Sequence, residues 1–237
     1  SEKVPSMAIL GKIHNSSKSE KAASSLAGIN ADGAIIEGMA IEDVLARVAP
    51  ALDKVPWGLR LQELKGDLAS SYRKQGCDFL AFGAENALAG ALGDEDTGYL
   101  LCIAEDMDER YLPAIEDLPV NAVLMTLDTN KQPLTLEHLL TIGAIRGAFS
   151  KYLLLEVPSA PDSGELEGLR DIGVDGLVVD AASLSAKDLQ ALKERVLALP
   201  RKQKNKSDKA SAVLPRWAYA GARSSPQEEP DDDDDEE

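Results

Sequence analysis

Between residues 7 and 180 the chain alternates eight times between a short apolar run and a longer stretch of mixed polarity. The runs are 7–14, 33–37, 57–62, 78–83, 99–104, 121–126, 152–157 and 176–180. Each is apolar on both faces and rich in Val, Ile, Leu or Phe. Parallel strands buried on both sides look like this, whereas a half-exposed antiparallel strand would alternate. Between the runs lie amphipathic stretches such as 41–52 and 136–149, and after the last one Leu189, Leu192, Val196 and Leu199 recur at helical spacing. The unit after Phe82 is the least regular. It predicts a short helix over 85–92, followed by Gly93-Asp-Glu-Asp-Thr.

The punctuation agrees with this division. Gly28, Gly76 and Gly173 stand where a helix should end before the next strand. Asn30-Ala-Asp-Gly, Gly76-Cys-Asp-Phe and Gly173-Val-Asp-Gly introduce strands in the same way, an internal echo of one repeating unit. Strand starts are spaced about 21 to 31 residues apart, close to the minimum for a βαβ crossover. Eight such units in about 200 residues predict an α/β fold, a single small (βα)₈ barrel over residues 1–200 with little room for insertions. An open doubly wound sheet is the alternative. It would normally carry a glycine-rich first turn, and the first turn here is His14-Asn-Ser-Ser-Lys.

Past Pro200 the composition changes. Residues 201–209 are a basic polar run, 213–219 a brief apolar patch, and 227–237 carry nine carboxylates. Such a segment cannot bury enough apolar surface to offset its ordering entropy, which predicts a disordered tail over 201–237. Trp217 and Tyr219 are its candidate partner-binding anchors. The whole chain has a net charge of −16, which makes it a poor partner for nucleic acid or anionic membrane. No apolar run approaches the length of a membrane span, and 7–10 is too short for a signal-peptide core. Two cysteines, Cys77 and Cys102, form no disulfide framework and suggest buried free thiols in a reducing, cytoplasmic setting.

Barrel enzymes place their chemistry at the C-terminal strand ends, and seven of the eight runs finish on or beside a carboxylate. These are Glu37, Glu63, Glu85, Glu105 with Asp106, Asp128, Glu156 and Asp180. Converging carboxylates raise one another's pKa or demand a cation such as Mg²⁺. Pointing outward, they would cap the following helices instead. Lys12 and His14 share one face of the first strand and are the catalytic candidates, since a histidine at the mouth can move a proton or bind metal. Arg60, with Gln62 on the same face, can bind a substrate carboxylate in bidentate fashion or sit in a structural ion pair. The turns after the seventh and eighth strands lack the glycines of a phosphate cradle, and no nucleotide-binding motif is present. His138 falls within the 136–149 helix, away from the mouth, and is expected at a surface or interface.

The strand Cys102-Ile-Ala-Glu105, the helix expected over 111–118 and the run Val120-Asn-Ala-Val-Leu-Met-Thr-Leu-Asp128 resemble the metal-dependent class II pyruvate aldolases over residues 99–196. The resemblance implies that Glu105 and Asp128 bind a divalent metal and that Arg60 holds the pyruvate carboxylate. Two functions follow as expectations. One is a Mg²⁺-assisted lyase or isomerase acting on a small carboxylate. The other is a non-catalytic barrel serving as a binding or assembly module, with the tail docking a protein partner.

Overall fold

In the computed structural model the described residues are 5–38, 41–127 and 133–200. All eight apolar runs form parallel strands: β1 Ala8–His14, β2 Gly33–Glu37, β3 Trp57–Leu61, β4 Phe79–Gly83, β5 Gly98–Ala104, β6 Ala122–Thr126, β7 Tyr152–Val157 and β8 Gly176–Asp180. They pair in sequence order, and β1 pairs with β8 to close the barrel. From His14 the registered partners run through Glu37, Arg60, Ala81, Leu100, Ala122 and Tyr152. Extended across β8, that path returns to β1 at Ser6, eight residues lower. A stagger of eight is that of a TIM barrel.

This stagger sorts the inward side chains into layers of four, drawn from alternate strands. Gly33, Phe79, Ala122 and Gly176 make the lowest, then Leu10, Gly58, Leu100 and Leu154, then Ile35, Ala81, Leu124 and Val178. The side-chain-bearing members of these layers form one buried cluster inside the barrel. Glycine in a layer makes room for its neighbour. A Cβ on Gly58 would lie 2.2 Å from the Phe79 ring and 2.4 Å from its carbonyl oxygen. Above these three apolar layers the character reverses, to Lys12, Arg60, Cys102 and Glu156, and then to Glu37, Gly83, Thr126 and Asp180. The outer faces of the strands pack beneath the helices in a second, larger core that includes Ile9, Ile36, Leu59, Leu80, Val123 and Leu177.

Six α-helices among the described residues surround the strands: α1 Ser19–Gly28, α2 Ile41–Leu52, α3 Leu68–Arg73, α4 Leu136–Arg146, α5 Ser163–Ile172 and α6 Ala186–Ala198. α4, α5 and α6 each begin with a capping box, from Thr135, Asp162 and Ser185. His138 is half of the first. Its ring Nδ1 accepts from the Thr135 N–H, and the residue is buried, which corrects its expected place at the surface. The helices expected over 85–92 and 111–118 do not form. After β4 there are two 3₁₀ turns, Ala84–Asn86 and Ala89–Ala91, and after β5 two more, Glu109–Tyr111 and Pro113–Asp117. Gly90 and Gly93 weaken the first stretch as helix, while Pro113 and Pro119 bound the second tightly.

Gly76 and Gly173 take the left-handed conformation expected after a helix, at φ +91° and +95°. Gly28 instead closes α1 as a helical residue, and Asn30 makes the left-handed turn at φ +48°. The echo before the even strands has a structural basis. Asp32, Asp78, Asn121 and Asp175 each donate their backbone N–H to a carbonyl of the preceding odd strand. Each also accepts the N–H of that same residue on its side chain. The four residues so held are Ile9, Trp57, Tyr99 and Leu153, with side-chain bonds of 2.7–2.9 Å. The described barrel belongs to one unit, Ser1–Lys202.

Candidate functional site

The mouth is built on the change of layer. Above Ile35, Ala81, Leu124 and Val178, two cations and two carboxylates from four different strands interlock. Lys12 Nζ donates to Glu156 Oε1 and lies 3.8 Å from Glu37 Oε1. Arg60 Nη1 lies 3.2 Å from Glu156 Oε2 and 3.5 Å from Glu37 Oε2. Thr126 Oγ1 donates to Glu156 Oε2 at 3.1 Å. Each carboxylate therefore bridges both cations. The side chains of Lys12 and Glu156 are only 15% and 13% exposed, so unpaired charges there would be costly.

The electrostatics follow from this packing. Burial works to raise the Glu156 carboxyl, but the hydrogen bond and charge of Lys12, with Arg60 and Thr126, outweigh it. Its pKa ends below the ordinary value. Burial pulls the Arg60 guanidinium down, while Cys102, Glu156 and Glu37 push it up, and it ends above its usual range. Burial pushes the Cys102 thiol up to about 11, despite the nearby Arg60 charge, so it stays protonated at neutral pH and is a poor nucleophile. Both cysteines are free. Cys77 is buried and Cys102 half-buried.

His14 completes the arrangement one layer higher. Its Nδ1 sits 2.8 Å from Glu37 Oε1, and its side chain is 45% exposed. A carboxylate on Nδ1 fixes the ring orientation and leaves Nε2 as the nitrogen open to another group. His14, Glu37 and Arg60 line a cavity of about 970 Å³ that is not plugged by large apolar side chains. Gln62, Asn86, Cys102 and Thr126 contribute to its wall. Arg60 engages both glutamates through Nη1. The site thus combines a cation suited to a carboxylate, an oriented imidazole and a fixed anionic pair.

The sequence-derived candidates divide accordingly. Lys12, His14, Arg60 and Gln62 come together at the mouth. Glu105 does not join them. It follows the inward Ala104 and lines a separate groove against α4, with Leu140 and Ile145. Asp128, Trp217 and Tyr219 lie outside the described residues. No group of three or more His, Cys, Asp or Glu among the described residues is arranged to hold a metal ion, and the implied second ligand, Asp128, is not one of them. Of the carboxylate ring, Glu37 and Glu156 converge, Glu85 lines the cavity, and Asp180 caps the following turn by accepting from the Ala182 N–H. Glu63 pairs with Lys65. The residues that sequence reasoning left in the crowd, Glu37 and Glu156, are the centre of the network. Two-residue parity along each strand was the available signal, since it puts Glu37, Glu156, Lys12 and Arg60 inward and Glu105 outward.

No protein-family model matches this sequence, and no curated protein is similar to it. Solved structures do resemble it in fold. Orotidine 5′-phosphate decarboxylase from Pyrococcus horikoshii OT3 superposes with a TM-score of 0.62 at 12% identity, over 80% of this chain and all of that one. Tryptophan synthase from M. tuberculosis gives 0.61 at 12% identity, over 81% of this chain and 92% of that one. The tryptophan synthase alpha-subunit of Pyrococcus furiosus gives 0.58 at 12% identity, over 82% and 98%. With the closed strand order, these make the chain a TIM barrel. No described helix is long and apolar enough to cross a membrane.

Proposed function

We propose that this protein is a barrel enzyme performing proton-transfer chemistry, of the lyase or isomerase kind, on a small carboxylate at its C-terminal mouth. The observation that carries the reading is Glu37, which holds the His14 imidazole on one oxygen and approaches Arg60 with the other, at the wall of an open cavity. In this reading Arg60 receives the substrate carboxylate and Gln62 hydrogen-bonds it from the rim. His14 Nε2 takes a proton from the carbon beside the substrate carbonyl, the electron pair moves onto the carbonyl oxygen, and the proton is returned at a new position. Lys12 and Glu156 position Arg60 and keep the floor charged. The superposing barrels bear the names of enzymes, which raises the expectation for this one by analogy of fold alone.

The phosphate-bearing substrates common in barrels are disfavoured. The N-termini of α5 and α6, where such a group would sit, are closed by the side chains of Asp162 and Ser185. Thermal unfolding with short 2-keto acids and matched saturated acids, each with and without Mg²⁺, tests the reading. A ligand that binds only the folded state raises the melting temperature. The expected outcome is a rise with the keto acids that is lost in Arg60→Lys, whose point charge cannot replace the fork. A melting temperature unmoved by every acid, with Mg²⁺ or without it, would overturn the proposal.

A further inference from the structure

The outer ring of this barrel is incomplete on one side. Where the units after β4 and β5 should supply helices, there are only 3₁₀ turns, and α4 borders the opening. α4 packs against α5 on one flank. Its other flank forms a groove of about 730 Å³, with Leu140, Ala144 and Ile145 on one wall and Met107 and Leu112 on the other. A surface helix normally hides its apolar stripe, yet Leu136 and Leu140, four residues apart, are 72% and 68% exposed. Five of the seven exposed large hydrophobics among the described residues lie in this sector: Leu88, Tyr111, Leu118, Leu136 and Leu140. Of these Leu140 lines the groove itself, and an exposed leucine on the wall of a groove that also holds Met107 and Ala144 marks an interaction surface.

The charge around the groove selects its occupant. Residues 84–127 carry ten acidic side chains and one basic, Arg110. Glu105, Asp106, Asp108 and Glu109 line the groove itself, and Arg110 is committed to Asp108. A second copy of this acidic chain would meet like charge, and nucleic acid would be repelled. We infer that the sector takes up an amphipathic helix of a partner protein, its leucine-type face against Leu140 and Met107 and its Lys or Arg face against the acidic rim. This is helix-in-groove recognition, with the guest standing where the barrel lacks its own helix. The surface is separate from the mouth, so the inference does not depend on the proposed reaction.

The test uses the full chain and, as probe, a fluorescent model peptide of about 18 residues with leucines at i, i+3, i+4 and i+7 and lysines elsewhere. A scrambled peptide of the same composition is the control. Fluorescence anisotropy should show the probe binding and the scrambled peptide binding at least about tenfold more weakly. Leu140→Asp should weaken the probe by a similar factor. Because Leu140 is exposed, that variant should keep its far-UV circular dichroism, and Leu136→Asp serves as a second one. Asp106→Lys with Glu109→Lys should weaken binding at low salt, and the difference should shrink as salt rises. The inference is overturned by no binding, by equal binding of the scrambled peptide, or by equal binding to Leu140→Asp. It is also overturned if light scattering shows a dimer that Leu140→Asp dissolves, since the occupant is then a second copy.

Discussion

The two ends of the barrel use the same kind of side chain for opposite purposes. At the bottom, Asp32, Asp78 and Asp175 accept backbone N–H groups of the odd strands, and Asn121 does the same with an amide. The amide's equivalence shows that holding the strand N–H needs only an acceptor in the right place, although Asp32 also accepts from Lys193 at 2.8 Å and Asp175 lies 3.9 Å from Arg146. At the mouth, Glu37 and Glu156 accept from Lys12, Arg60 and His14, all side chains, and an amide could not replace their charge. The bottom carboxylates fasten strand to strand. Those of the mouth hold side-chain cations, of which Arg60 lines an open cavity where a ligand can compete for it.

The sharpest way to break this comparison is to remove a carboxylate from each end. Glu156→Ala leaves Lys12 and Arg60 partly buried with only their longer contacts to Glu37 and should destabilise by about 3 kcal/mol in urea unfolding. Lys12→Met combined with Glu156→Met should recover most of that loss, because two apolar groups replace a buried pair at little cost. The stability has a pH signature. The folded-state pKa of Glu156 lies below the ordinary carboxyl value of 4.5, so its contribution is present above that pH and is lost as pH falls toward the folded value. Glu156→Gln should flatten the acid limb of the stability profile below about pH 4.5 and leave its slope above pH 6 unchanged. An unchanged acid limb would mean that the mouth network adds nothing to folding.

At the bottom the effects are smaller. Asp175→Ala removes the acceptor of the Leu153 N–H and should cost about 1–2 kcal/mol, with no acid-limb change beyond that of an ordinary surface carboxylate. Asp78→Asn keeps the acceptor, as Asn121 does natively, and should stay within about 0.5 kcal/mol of the parent by the same unfolding assay. If Asp78→Asn costs as much as Asp175→Ala, charge matters at the bottom after all and the comparison fails.

Much of this was legible in the chain. Strands buried on both faces announce themselves as unbroken apolar runs, which is why all eight appear close to their expected bounds. Helices were legible where a cap and an apolar stripe coincide, as at Ser185 with Leu189, Leu192 and Val196. They were misread at 85–92 and 111–118, where glycine and proline decide against a regular helix within a crossover of minimal length. At the mouth, Lys12, His14, Arg60 and Gln62 stood out because a cation or imidazole inside an apolar run is rare. Glu37 and Glu156 did not, because each is one of several carboxylates at strand ends. Separating them needed the direction of every side chain, and for Glu105 the single residue past Ala104 reversed it. Three of the four clamps at the bottom were visible as a repeated Asp-Gly or Asp-Phe, and the fourth, Asn121, was hidden by its change of residue type.

The account turns on His14 acting in proton transfer while Glu37 holds its ring. Deuterium uptake at the carbon beside the carbonyl of short 2-keto acids, followed by proton NMR in D₂O, measures that step directly. The full chain should exchange the substrate protons faster than buffer, and His14→Gln should be slower by about 100-fold or more. Exchange no faster than buffer across the series, or equal in the chain and in His14→Gln, would contradict it.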